Sequence, residues 1–137
     1  MKNLRWARVA QRTIQAAAQM LRDVDANDVG VDDALAVVMN YLSEAIGAIV
    51  EQKELPRMPA ELLALVGKQI RIPAGIMRFL AIPLGLAQVL LENAYEDLRD
   101  AGLTGRAMVL AFGADLIGAI LTGGVIPEPS RAAILAA

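Results

Sequence analysis

The chain has no cysteine and no histidine among its 137 residues. Those two absences exclude disulfides, Cys/His zinc sites, thiolate nucleophiles, histidine-ligated haem and imidazole acid–base catalysis. Serine is nearly missing as well. Ser43 and Ser130 are the only two, and neither sits in the Gly-x-Ser-x-Gly setting of a nucleophile elbow. Aromatic residues make up only 4% of the chain, so its apolar content rests on Ala, Leu, Ile and Val, a mixture that favours closely packed helices over a sheet sandwich. Positive charge is not in excess: the net charge of −2 argues against nucleic-acid binding by the chain as a whole. The charged N-terminus is not followed by an apolar run of signal-peptide length, so no signal peptide is expected.

What the chain has in abundance is apolar surface. Hydrophobic residues account for 56% of it and the mean hydropathy is +0.47, well to the apolar side of an ordinary domain. A chain this short cannot easily hide so much in its own interior, which leaves neighbouring subunits or lipid to cover the surplus. A single all-helical domain is expected.

Residues 1–24 read as a basic amphipathic helix. Trp6, Val9, Ala10, Thr13, Ile14, Ala17, Met20, Leu21 and Val24 share one face at helical spacing. Arg5, Arg8, Arg12 and Arg22 form a basic surface opposite, suited to an anionic membrane surface or to phosphates; a solvated face of a packed helix explains the same pattern. The acidic segment 23–33 begins like a calcium loop, with Asp23, Asp25 and Asn27 alternating. The likeness then fails, because Asp28 stands where the tight turn wants Gly and Ala34 where a bidentate Glu is needed. A connector with Gly30 in the turn and Asp32 as N-cap is the simpler reading.

Residues 31–54 form a central helix, broadly apolar through Leu35, Val38, Met39, Leu42, Ala45, Ile46 and Ile49, with Asp33, Asn40, Glu44 and Glu51 as a thin polar edge. Glu44 and Glu51 lack the His that commonly completes a helical di-metal site. Pro56 and Pro59 break the chain, a short helix is expected over 59–70, and Gly67-Lys68 belongs to no phosphate-binding loop.

Two long apolar runs follow, 72–91 and 107–126, joined by the polar segment 92–106. Pro73 opens a helix over 73–101 with a kink or break at Pro83. Leu84, Ala87, Leu91, Ala94, Tyr95 and Leu98 form its inner stripe, with Gln88, Glu92, Glu96, Asp97, Arg99 and Asp100 facing away. Gly102 is its stop and Thr104 the next N-cap. The helix over 105–122 carries a ridge of small residues, Ala107, Ala111, Ala114, Gly118 and Thr122, with Asp115 at its margin, over which a second helix can approach closely. Gly123-Gly124 ends it. The apolar tail 127–137 is expected to dock on something through Ile134 and Leu135.

Arg78 and Asp115 are the one charge in each run, and both are candidates for buried charges. Large apolar residues favour a membrane span by roughly 0.3–0.6 kcal/mol each, against a cost of about 2.5–3.5 for a central charge. With ten such residues and Asp115 near the middle, the run 107–126 is a marginal span; Pro83 and Gly85 weaken 72–91. The expected architecture is therefore an all-α compact bundle of about five helices, with a long Pro-kinked hairpin over 72–126. The expected function is that of a non-catalytic structural subunit of a homo-oligomeric assembly, of the kind found in phage-type virions. Its contacts would be made by the small-residue ridge and the tail. The alternative is a small integral membrane protein with a two-helix hairpin and a basic interfacial N-terminal helix. No cofactor, metal or small-molecule substrate is expected. The location expected is cytoplasmic or virion-associated, with the membrane as the alternative.

Overall fold

The computed structural model describes residues 4–25, 33–70, 72–131 and 133. Among them lie five helices and no strand: α1 (Arg5–Asp25), α2 (Asp33–Val50), α3 (Ala60–Leu63), α4 (Ala74–Asp100) and α5 (Thr104–Thr122). The all-helical bundle anticipated from composition is what the chain forms. The acidic connector, its metal-like spacing included, falls largely outside the described residues.

Helices α1, α2, α5 and α4 make a four-membered ring. α1 packs on α2 and on α4, and α5 packs on α4 and on α2. Neighbours run antiparallel. Gln11 donates to the Ser43 carbonyl (3.1 Å) and Gln15 to the Ser43 hydroxyl (3.3 Å), and Gln11 also reaches Gly47, so α1 rises as α2 descends. Gln88 of α4 likewise meets Ala114 and Gly118 of α5. The inner face of α1 is a heptad-like row, Ala7, Ala10, Ile14, Ala17 and Leu21, all buried. This row is rotated from the expected face: Ala7 is inside and Val9 is exposed. Alanines at three of the five places let α1 sit close to two neighbours at once.

Because α2 and α4 point the same way, the chain between them must travel the length of the bundle. The stretch 51–73 does so. It starts beside the beginning of α5, where the Arg106 guanidinium donates to the Lys53 carbonyl (2.7 Å). It ends at the exit of α5, where Gly67 N–H donates to Ile126 O (2.9 Å) and Ile126 N–H to Lys68 O (2.8 Å). That is a crossing of roughly 28 Å, the length of a helix the size of α5. Leu55, Leu62 and Ile70 are buried and pin it to the bundle. The helix expected over 59–70 is only four residues long, because the backbone beyond Leu63 turns and pairs with the segment after α5, through bridges of Val66 with Ile126 and Gln69 with Val125.

Three helices end in the same way. At α4, Gly102 is left-handed (φ +82°) and Leu103 N–H reaches Leu98 O; at α5, Gly123 (φ +68°) and Gly124 repeat the pattern. At α2 the left-handed place is taken by Gln52 (φ +56°), with Lys53 N–H on Ala48 O. This turn ends α2 at Val50, short of the expected 54. Arg106 supports it from α5, placing a cation by the last carbonyls of the helix. Pro73 is the N-cap of α4, which runs without a break through Pro83. Leu103 rather than Thr104 is the N-cap of α5.

Candidate functional site

The small-residue ridge of α5 faces its own chain. Ala107 and Ala114 are buried, Ala111 and Gly118 half-buried, and only Asp115 and Thr122 are exposed. α4 occupies the approach: Gln88 Nε2 donates to the Ala114 carbonyl at 3.3 Å, and a Cβ on Gly118 would come within 2.8 Å of that same nitrogen. The ridge was expected to serve contacts between subunits. Instead, Ala107 and Ala114 are closed off inside the bundle, and the close approach that small residues permit is used by the neighbouring helix of the same chain. Gln88, expected to face water, is the side chain that fills it. Thr122 turns back on its own helix, its hydroxyl donating to Gly118 O (2.9 Å).

The two candidate buried charges are not buried. Arg78 and Asp115 are both exposed, because each lies on a side of its helix that no other element of the bundle covers. Neither has an ion-pair partner among the described residues, and neither do Glu92 and Glu96. Arg5, Arg8, Arg12 and Arg22 are exposed along the outer side of α1. There the Arg5 guanidinium lies over the Trp6 ring at 5.4 Å, and Arg22 donates to Gln19 (2.7 Å). Glu44 and Glu51, weighed as carboxylate ligands, are both exposed, and Glu51 pairs with Lys53 at 3.0 Å. Ile134 and Leu135 lie outside the described residues; next to them Ala133 is buried, its N–H donating to the Ser130 hydroxyl (3.1 Å).

The feature that stands out was not singled out in the sequence. Along the outer side of α4, Phe79, Ile82, Leu86 and Val89 are 68%, 79%, 51% and 54% exposed. Their spacing, three, four and three residues apart, is that of a coiled-coil seam. α4 therefore carries two apolar stripes. The inner one, Ile76, Leu80, Leu84, Ala87, Leu91, Ala94 and Leu98, is buried in the bundle; the outer one is bare. At its Phe79 end the bare stripe adjoins a small apolar cleft lined by Met20, Leu21, Ile76 and Leu80, so it is continuous with the packing of α1. Polar residues bound it lengthwise: Arg78 near one end, Glu92, Asn93 and Glu96 at the other, all exposed. The seam spacing was present in the sequence, but an apolar first half hides one stripe inside another, and only the neighbours of α4 tell them apart.

Tyr41 is the single titratable group whose environment moves it clearly among the described residues: burial without a compensating charge pushes its phenol from 10.0 up to about 12. It lies beside Asn40, Glu44, Arg57 and Glu61 at the seat of α3 on α2. Comparison of the chain with protein-family profiles, with curated proteins and with solved structures finds no match in any of the three.

Proposed function

We propose that this chain is a non-catalytic structural subunit that acts by helix packing within a homo-oligomeric assembly, a phage-type virion component being the concrete form of that role. The observation that carries the reading is the exposed seam Phe79–Ile82–Leu86–Val89 on α4. Four large apolar side chains in one stripe exceed the scattered single exposures that ordinary surfaces tolerate, and such a stripe marks a contact. Its heptad spacing suits another helix better than an irregular ligand. Sedimentation of the purified chain without detergent tests the reading: a discrete oligomer is expected, and a stable monomer rejects it.

A second reading has its own support. α4 and α5 are each long and apolar enough to cross a membrane. As a hairpin in lipid they would leave the arginines of α1 on an anionic surface. That arrangement requires the ring to open, because half of the most apolar window of α5 is buried against the rest of the chain. Release of the protein from membranes by carbonate would reject it.

A further inference from the structure

The reading above rests on self-association without saying how two copies meet; the surface of α4 contains enough to name the geometry. We propose that the outer stripe of α4 packs antiparallel against the same stripe of a second copy, about a two-fold axis beside Gly85.

Two independent features of the surface are self-complementary under that operation. The first is the seam itself. Turned end for end about its midpoint, it sets Phe79 level with the partner's Val89 and Ile82 level with the partner's Leu86, so large side chains meet in four layers with no gap. The second is charge. Arg78, Gly85 and Glu92 recur every seventh residue along one flank of the seam. In an antiparallel pair related by a two-fold, residues of like flank face each other, so Arg78 of each copy meets the partner's Glu92, with the partner's Glu96 one turn beyond. Asp115 adds to the same acidic end, since the bond from Gln88 to Ala114 holds that part of α5 beside α4. None of these four charged groups has an ion-pair partner within its own described chain. A parallel pairing would bring unlike flanks together, setting Arg78 against the partner's Pro83 and Glu92 against the partner's Asp97, so Arg78 gains no acidic partner and the other end is repulsive. At the axis itself Gly85 offers no side chain, and a Cβ built there meets nothing within 4 Å of its own chain; the two backbones approach most closely at this point. The seam is only four large side chains long, so association is expected to be weak and is followed up to high micromolar concentration.

Sedimentation equilibrium in detergent-free buffer, with two charge reversals and two cysteine variants, tests the geometry. R78E and E92R alter exposed side chains, so each should remain folded by circular dichroism. Each weakens association about tenfold, because the two-fold axis doubles the effect of one reversal. Mixed one to one, the two variants restore it, since both flank contacts are then of opposite sign. The chain has no cysteine of its own, so introduced thiols report orientation directly. F79C mixed with V89C gives a mixed disulfide, whereas either alone does not, the two positions lying about 15 Å apart along the helix. Association that persists unchanged through both reversals, or F79C crosslinking to itself, overturns this geometry and leaves the assembly reading standing. A chain that stays monomeric at high micromolar concentration overturns both. If that monomer also binds phosphatidylcholine vesicles through the stripe, lipid is the occupant instead.

Discussion

α4 and α5 look alike in sequence and are treated very differently by the fold. The most apolar window of α4 has a mean hydropathy of 1.8 and is 33% buried; that of α5 has 1.5 and is 50% buried. The more apolar stretch is the less covered one. α5 is held on one side by α4, on another by α2, and at its two ends by the returning segment 51–73. α4 also has two neighbours in the ring, α1 and α5, yet it turns one apolar stripe in and the other out. Hydropathy thus measures how much surface needs covering, while position in the ring decides how much the chain covers for itself. The excess apolar content of this protein is concentrated on one face of one helix.

The largest test of this contrast removes side chains from each face. Leu91→Ala on the inner stripe of α4, or Ile117→Ala on α5, both at fully buried positions, should each cost about 2–5 kcal/mol in urea unfolding. Ile82→Ser on the outer stripe should leave the stability of the dilute monomer within about 0.5 kcal/mol while reducing association. A loss at Ile82 as large as that at Leu91 would mean that the outer stripe is covered within the folded chain.

The covered side also titrates. Burial holds the phenol of Tyr41 at about 12 rather than 10.0, so the unfolded chain loses that proton first. Stability is untouched below about pH 10 and falls as the pH rises toward 12, by up to about 2–3 kcal/mol. Unfolding followed across that range should show the decline in the parent chain, and Tyr41→Phe should flatten it. An equal slope in both would place the alkaline sensitivity elsewhere.

Glycines give the finest comparison. On α5 a Cβ at Gly113 would stand 2.9 Å from Leu42 Cδ2 and 3.4 Å from Leu91 Cδ1. Gly113→Ala should therefore overpack the core and destabilise by about 1 kcal/mol, even after the gain in helix propensity. On the open side of α4, Gly85 has nothing within 4 Å, and Gly85→Ala should stabilise the monomer by about 0.5–1 kcal/mol. If the two substitutions shift the thermal midpoint in the same direction, α5 is less tightly enclosed than its contacts imply.

Much of this protein could be read from its residues in order. The scarcity of aromatics and the Ala/Leu content point to helices. Pro73, Gly102 and Gly123 mark ends correctly, because each acts through its own backbone and needs no distant partner. Local rules fail where a remote segment intervenes. The helix over 59–70 is cut to four residues by pairing with the chain around Ile126. Arg106, unremarkable in sequence, ties down the end of α2 because the ring brings it there. The small-residue ridge was legible as a place of close approach, but nothing local says whose helix approaches.

Periodicity states that a helix has a face to bury, and for α1 and the second half of α4 it states roughly which. It has no direction to offer where a helix is apolar nearly all round, as in α5 and the first half of α4. There the choice belongs to the ring: both helices found two neighbours, yet those of α4 left a seam bare, and Arg78 and Asp115 came out on the surface. Burial is a property of pairs of distant segments, whereas helix formation and helix ends are properties of a few consecutive residues.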